Sequence, residues 1–266
     1  MSDGAATEEK VVEIKGCSIH YAEQSDDVPG TPLHTILYVH GNLGSYRWFS
    51  RVMNVTGARV LALDMPNFGR SGQIPVHDIA AYGEYVTEFI GVVARRPVVL
   101  VGHSLGGSVA MSVACANPDL VERMMLVDPA PVNGLITPPE HYPAIEAYRQ
   151  DEVQLRAAMK TVVPTLTDDA WFDQLVVDAR MMKGEAYVGH ARELGKADHR
   201  GVADKYTGPV LVTRGGLDWL VTSEMAARTA GAFHGSMEEH PSVGHSIMVE
   251  APELFASTLN RFLAAS

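Results

Sequence analysis

Short apolar runs alternate with longer stretches of helical periodicity along most of this chain. The runs are rich in strand-forming residues and occupy 35–39, 58–63, 97–101, 121–127, 209–213 and 235–240. Apolar positions recur at helical spacing over 77–95 and 105–116. Strands that alternate with helices in this way predict a parallel, doubly wound α/β sheet. Before them, 11–15 and 17–23 alternate as a hairpin joined at Gly16 would, which brings the predicted strands to eight.

The rhythm changes over 132–205, where no strand pattern occurs and helical stretches fall near 143–160, 168–181 and 184–193. We therefore divide the chain into a core of 1–131 and 206–266 and a helical insertion of 132–205.

Composition and charge narrow the possible partners. The chain has 266 residues, enough for one large α/β domain, and a formal net charge of −11. This acidic balance disfavours nucleic acid and anionic membranes as partners. The first fifteen residues lack the apolar core of a signal peptide, and no run of about 18 apolar residues occurs. Cys17 and Cys115 lack metal-ligand spacing and are expected to be reduced core residues, so the sequence predicts a cytoplasmic protein.

The clearest chemical signal is Gly102-His103-Ser104-Leu105-Gly106, which stands between a predicted strand and a predicted helix. This G-x-S-x-G pattern is typical of a nucleophile elbow, in which a strained turn exposes the serine hydroxyl at the carboxyl edge of the sheet. Ser104 is the candidate nucleophile. The alternative is a serine that only caps an ordinary helix.

Five segments in order resemble the landmarks of the α/β-hydrolase superfamily. They are His40-Gly41-Asn42-Leu43-Gly44, Asp64-Met65-Pro66-Asn67-Phe68-Gly69-Arg70-Ser71, Gly102-His103-Ser104-Leu105-Gly106-Gly107, Gly216-Leu217-Asp218 and Gly244-His245-Ser246. The resemblance implies an α/β-hydrolase fold with a mostly parallel eight-stranded sheet. It also implies that the 132–205 insertion is a cap over the active site.

By position, the resemblance implies a catalytic triad of Ser104, Asp218 and His245, in this fold's chain order. It also implies an oxyanion hole made by the backbone N–H groups of Asn42 and Leu105. His40 would hold the oxyanion loop in place. Asp128 ends the strand after the elbow helix, where some members of the superfamily place the acid, so Asp128 remains the alternative to Asp218.

Substrate choice is expected to reside in the cap. Its aromatic and thioether residues include Trp171, Met181 and Tyr187, which are candidates for the pocket lining. The apolar content of the cap favours a small to medium, hydrophobic substrate.

The chemistry expected of such a triad is hydrolysis of a carboxylic ester, or of a lactone as its cyclic form, without a metal or organic cofactor. Hydrolysis of a carbon–carbon bond is an alternative on the same scaffold and usually needs a basic residue for a carboxylate, with Arg149, Arg180 and Arg192 as candidates. Perhydrolysis and cofactor-free oxygenation also occur on this fold. An alternative of another class is a non-catalytic small-molecule receptor. The sequence does not indicate an oligomeric state.

Overall fold

An antiparallel hairpin forms one edge of the sheet. The computed structural model describes residues 7–25 and 33–265. Strands β1 (Glu8–Ile14) and β2 (Cys17–Ser25) pair from Glu8 with Glu23 to Ile14 with Cys17. Gly16 makes the turn with a φ of +75°, which a residue without a Cβ adopts at little cost. Strand β2 runs two residues past the predicted 17–23, because Gln24 and Ser25 still belong to it.

Six further strands complete the sheet: β3 (His34–Val39), β4 (Ala58–Leu63), β5 (Val98–His103), β6 (Val121–Val127), β7 (Val210–Gly215) and β8 (Ser236–His240). The order in the sheet is β1-β2-β4-β3-β5-β6-β7-β8. Only the pairings of β1 with β2 and of β2 with β4 are antiparallel among the described strands. The predicted eight-stranded, mostly parallel sheet is confirmed.

Nine α-helices lie in the described part of the chain: α1 (Ile79–Phe89), α2 (Leu105–Ala116), α3 (Tyr142–Ala147), α4 (Glu152–Thr161), α5 (Asp169–Ala179), α6 (Ala186–Lys196), α7 (Ser223–Ala232), α8 (Ile247–Glu250) and α9 (Pro252–Ala264). A π-helical turn, Ile90–Ala94, extends α1 and ends at Arg95, whose φ is +58°. A 3-10 helix, Tyr46–Val52, follows β3, and α8 was not predicted. None of these helices has both the length and the apolar character needed to span a bilayer.

Successive side chains of the central strands point to opposite faces of the sheet and pack in two separate apolar layers. In β5, Val98 and Leu100 pack with α1 and α2, whereas Val99 and Val101 pack with α9 and with the 3-10 helix Tyr46–Val52. Strands buried on both faces explain the continuous apolar runs in the sequence.

The segment between β6 and β7 contains α3 to α6 and no strand within the described residues. Its apolar side chains join both core layers: Met159 of α4 and Phe172 of α5 pack in one, and Tyr187 and Leu194 of α6 pack in the other. The segment therefore shares the core of the sheet. Its treatment as a separate cap at 132–205 stays a prediction.

Several histidines are buried in these layers and stay neutral. Burial is the main cause that lowers their pKa values, as in His40, His103, His190 and His199. His199, for example, forms a hydrogen bond through Nε2 with Ser108 Oγ at 2.9 Å, which ties the segment before β7 to α2.

These histidines predict that the protein loses stability as the pH falls below about 6.5, the ordinary histidine pKa. Below that value the unfolded chain binds protons that the buried rings do not bind, so the free energy of unfolding falls. Asp128 has the opposite effect on the free energy of unfolding. Burial, and next the negative charge of Asp218, raise its pKa, so the folded protein holds a proton there that the unfolded chain releases. The histidines outnumber it. Urea unfolding at several pH values between 8 and 5 should show the loss.

The matched variants for this experiment are His199→Gln, which removes a buried titrating ring, and His234→Gln, which removes an exposed one. The slope of stability against pH should become shallower in the first variant and change less in the second, whose ring is exposed to solvent in the folded protein. Stability that rises toward pH 5 would contradict the prediction.

Candidate active site

Ser104 occupies a sharp turn between β5 and α2 at the carboxyl edge of the sheet. Its φ of +52° and ψ of −116° lie outside the regions that L-residues ordinarily adopt. Hydrogen bonds hold this turn: the Ser104 N–H donates to Val127 O at 3.0 Å, and Ser104 O accepts from the N–H groups of Gly107 and Ala130. The strained conformation matches a nucleophile elbow.

Glycine is required around this turn because the backbones approach so closely. A Cβ at Gly102 would lie 2.4 Å from Gly106 O, and a Cβ at Gly106 would lie 2.3 Å from Val39 O. Both contacts are with backbone atoms, which cannot rotate away as a side chain would. The two glycines therefore let the first turn of α2 pack directly on β3 and β5.

His245 and Asp218 form a buried hydrogen-bonded pair beside the elbow. His245 lies between β8 and α8, and its Nδ1 lies 2.8 Å from Asp218 Oδ2. Asp218 Oδ1 accepts from the N–H of Leu220 at 2.7 Å. Burial by itself would raise the pKa of Asp218, but the hydrogen bond and the charge of His245 outweigh burial and lower it. Asp218 is thus an ionised acceptor that fixes the proton of the imidazole on Nδ1.

Asp128 is the second carboxyl group near this pair, and it makes no hydrogen bond to His245 among the described residues. Its Oδ1 accepts from the N–H of Gly215 at 2.8 Å, while its Oδ2 is buried without an N–H or hydroxyl donor among the described residues. Burial, and next the negative charge of Asp218, raise the pKa of Asp128 well above its usual range. The O–H group of a protonated Asp128 can therefore donate a hydrogen bond to the carboxylate of Asp218. The geometry thus pairs His245 with Asp218, and makes Asp128 a neutral neighbour of that carboxylate.

One oxygen or nitrogen atom from each of Asp128, Asp218 and His245 lies within 4.8 Å of the others, which is close enough for a shared metal ion. A tetrahedral zinc ion with ligands at about 2.0–2.1 Å would hold them roughly 3.3 Å apart. The 2.8 Å separation of His245 Nδ1 and Asp218 Oδ2 is instead that of a hydrogen bond. These residues do not fit a metal site as they are arranged.

Ser104 and His245 line the same cavity, but the Ser104 hydroxyl makes no hydrogen bond within the described chain. Hydrogen bonds between nucleophile and base are often long in unliganded enzymes and shorten when substrate binds.

The two backbone N–H groups predicted as oxyanion donors have no protein acceptor in the part of the chain that the structure describes. One belongs to Asn42, just after β3, and the other to Leu105, the first residue of α2. His40 stabilises the first loop: its Nε2 accepts from the N–H of Met65 at 3.1 Å, and its Nδ1 lies 2.8 Å from Gly41 O. Both predicted oxyanion donors therefore remain available, and His40 holds the loop that carries one of them.

His103, which the sequence analysis did not assign a role, supports the loop of His245. Its Nε2–H donates to His245 O at 3.0 Å, and its ring stacks on Trp48 with centroids 5.5 Å apart. Burial, and next the charge of His245, lower the pKa of His103 well below its usual value, so the ring is neutral. The only signal in the sequence was its place inside the G-x-S-x-G motif.

The cavity over Ser104 has a volume of about 780 Å³ and is mainly apolar. Its walls come from the loop after Asn133, from α3, α4 and α6 and from the loop after β7. They include Leu135, Ile145, Tyr148, Met159, Tyr187 and Trp219. No lysine or arginine lines it among the described residues. Such a cavity suits an uncharged substrate with a substantial apolar part.

Of the three predicted pocket residues, Tyr187 lines the cavity and Trp171 and Met181 do not. Trp171 is at the start of α5, where Arg51 lies over its indole ring at 4.3 Å from the centroid. Met181 follows the end of α5, where its N–H donates to Asp178 O. Both residues lie outside the wall of the cavity. Trp219, which does line it, comes from the loop after β7.

Comparisons with known proteins show the family of the chain. The model of the alpha/beta hydrolase family matches residues 36–258. The chain belongs to the α/β-hydrolase family. Among its relatives, the mouse sn-1-specific diacylglycerol lipase ABHD11 is 27% identical over 252 residues, which cover 87% of this chain and 81% of the lipase.

Solved structures share the fold of this α/β hydrolase at low sequence identity. A putative aryl esterase from Burkholderia cenocepacia has a TM-score of 0.84 at 23% identity, covering 97% of this chain and 98% of the esterase. The enol-lactonase from Burkholderia xenovorans has a TM-score of 0.82 at 20% identity, covering 96% of this chain and 100% of the lactonase.

The elbow predicts a large difference between two glycine variants. Gly106→Ala should lower the free energy of unfolding by about 3 kcal/mol or prevent folding, because its Cβ would press on backbone atoms. Gly231→Ala is the matched control, since Gly231 lies in α7 with nothing within 4 Å of its added Cβ, and should be neutral or gain up to about 1 kcal/mol. Urea unfolding of both variants tests this, and equal stability would refute the close-packing argument.

Proposed function

We propose that this α/β hydrolase cleaves carboxylic esters, including lactones, of small to medium, largely hydrophobic substrates through an acyl-enzyme on Ser104. The observation that carries the proposal is the shared cavity of the strained Ser104 and of His245, whose Nδ1 lies 2.8 Å from Asp218 Oδ2. That arrangement supplies a nucleophile, a base and a group that orients the base.

In the proposed mechanism, His245 Nε2 takes the proton of the Ser104 hydroxyl while the oxygen attacks the ester carbonyl carbon. The tetrahedral intermediate then collapses, the carbon–oxygen bond to the leaving group breaks, and His245 returns the proton to the departing alcohol. Water, deprotonated by the same imidazole, then attacks the acyl carbon. The bond from that carbon to Ser104 Oγ breaks, His245 returns the proton to Oγ, and the acid is released. Asp218 stays ionised and stabilises the imidazolium in both halves of the reaction.

The negative oxygen of each tetrahedral intermediate would bind to the N–H groups of Asn42 and Leu105. Removing one such donor from an enzyme of this kind typically slows turnover by about 10²–10³-fold. The N–H of Leu105 also belongs to the first turn of α2, where the helix dipole favours negative charge.

The cavity supports an uncharged, apolar acyl or alcohol group. Its volume of about 780 Å³ exceeds what a short ester needs. The names of the related mouse lipase and of the structurally similar lactonase, which denote cleavage of ester bonds, are consistent with this class of substrate.

Carbon–carbon hydrolysis gains no support from the three arginines considered for it. Arg149 pairs with Glu146, Arg180 pairs with Glu152, and Arg192 lies over the ring of Tyr142. None of the three lines the cavity of Ser104. A receptor role would require neither the strained serine nor the buried His245–Asp218 pair.

Labelling with a fluorophosphonate tests the nucleophile directly. We expect the wild-type protein to form one adduct, located on Ser104 by mass spectrometry, and to hydrolyse short p-nitrophenyl esters. Ser104→Ala should lose both reactions and keep its unfolding midpoint, because the nucleophile and base act as one unit. A folded wild-type protein that forms no adduct, or an alanine variant that still turns over esters, would contradict the proposal.

The two carboxyl groups should respond differently to conversion into amides. Asp218→Asn should lower kcat by about 10³–10⁴-fold, because an amide fails to hold the required tautomer of the histidine. Asp128→Asn should cost less than about tenfold, since an amide N–H can replace the O–H that a protonated Asp128 donates to Asp218. Steady-state kinetics of both variants on one ester tests this. A larger loss of kcat in Asp128→Asn than in Asp218→Asn would assign the role of the acid to Asp128.

A further inference from the structure

A chain of hydrogen bonds runs from the loop after β4 through α1 and α6 to the oxyanion loop. It links Asn67, Tyr82, His190 and Asn42, which are separated widely in sequence. Three of them are buried, and Asn42 is half-buried at the cavity of Ser104. The donor of each hydrogen bond in this series follows from the donor of the one before it, starting at Asn67.

The direction begins at Asn67, whose amide is fixed by the backbone on both sides. Its Oδ1 accepts from the N–H of Ile74 at 2.9 Å, and its Nδ2 donates to Val76 O at 3.0 Å. The same Nδ2 lies 3.1 Å from the hydroxyl of Tyr82. Since an amide nitrogen only donates, the Tyr82 oxygen is the acceptor of this hydrogen bond.

Tyr82 therefore has its own proton left to donate, and His190 Nε2 lies 2.6 Å from its oxygen. Burial is the main cause that raises the pKa of Tyr82, so the phenol keeps that proton. His190 Nε2 must then be the acceptor.

His190 is a neutral ring whose single proton is consequently on Nδ1. Burial, and next the neighbouring His77 and His40, lower the pKa of His190 well below its usual value. Its ring stacks on Phe68 with centroids 4.6 Å apart and planes 7° apart, which fixes its plane. The Nδ1–H donates to Asn42 Oδ1 at 2.9 Å.

The series of hydrogen bonds ends at the side-chain amide of Asn42. Its Oδ1 is taken by His190, and its NH₂ group donates to no acceptor in the ranges 7–25 and 33–265. Asn42 lines the cavity together with Ser104, and its backbone N–H is a proposed oxyanion donor. An oriented N–H donor therefore stands free beside the reacting serine.

We infer that the Asn42 side-chain amide donates a hydrogen bond to the tetrahedral oxygen formed at Ser104, and that His190 is the positioning residue that presents it. The inference rests on the proposed ester hydrolysis. It makes α6 a direct support of the oxyanion loop, and it gives one residue two donors at the reacting carbonyl.

The first test compares Asn42→Ala and Asn42→Asp with the wild type in ester kinetics. Asn42→Ala should lower kcat by about 10–100-fold, up to the range of an oxyanion donor, with KM changed less than about threefold. Asn42→Asp should lose more, because it places a carboxylate oxygen where the amide donor stood. A higher KM at unchanged kcat, or no effect of either variant, would overturn the inference.

The second test separates positioning from structural support. His190→Phe keeps an aromatic ring to stack on Phe68 and removes the donor, so kcat should fall several-fold in the wild-type background. The same substitution should have no further effect in Asn42→Ala, because its only target is then missing. A loss of equal size in both backgrounds would show that His190 acts through folding alone.

The proton direction has a readout that does not depend on activity. Nitrogen NMR of ¹⁵N-histidine-labelled protein should show His190 as the neutral Nδ1–H tautomer, and Tyr82→Phe should shift its population toward Nε2–H. Tyr206→Phe is the matched control, since it deletes a buried hydroxyl that has no partner among the described residues and should change neither tautomer nor kcat. An Nε2–H tautomer in the wild type would refute the chain of donation.

These readouts distinguish the two proposals. If the wild-type protein forms no fluorophosphonate adduct and hydrolyses no ester, the proposed function fails, and the assignment of Asn42 to the tetrahedral oxygen fails with it. If the wild type is active and Asn42→Ala is equally active, only the inference fails.

Discussion

The closeness of α2 to the strands beneath it is the constraint on which the rest of the site depends. Backbone atoms of Gly106 and Val39 approach so nearly that a single Cβ at Gly106 would lie 2.3 Å from a carbonyl oxygen. This contact brings the end of β3 beside the start of α2, next to the turn at Ser104 with its unusual φ and ψ. The positions of Ser104 and of the N–H groups of Asn42 and Leu105 are consequently set by main-chain packing.

Electrostatics adds a second layer to this geometry. Two carboxyl groups, Asp128 and Asp218, meet at the ends of adjacent strands β6 and β7, where both cannot be ionised without strong repulsion. His245 stabilises the charge on one of them, and the other keeps its proton. The protonation state of Asp128 thus depends on the charge of Asp218, which in turn depends on its hydrogen bond with His245.

The sequence was most informative where structure is local. The helix α2 and the strand β6 have the predicted bounds, because apolar periodicity and the Asn117-Pro118 stop are local signals. The order of Ser104, Asp218 and His245 came from the family resemblance. The cavity wall was harder to predict, since a helix of mixed composition, such as the one that carries Trp171, does not reveal which face turns inward. His190 and Asn42 lie 148 residues apart, and no periodicity links them.

The location of α3 to α6 between β6 and β7 has a consequence for how this protein can diverge. Their segment leaves and re-enters the sheet at neighbouring strands, so residues there can vary in number and size while the elbow and the acid stay in place. New substrate ranges can therefore evolve by changing the wall alone. His190 sets the limit to that freedom, because a lineage that replaces it must find another way to orient Asn42.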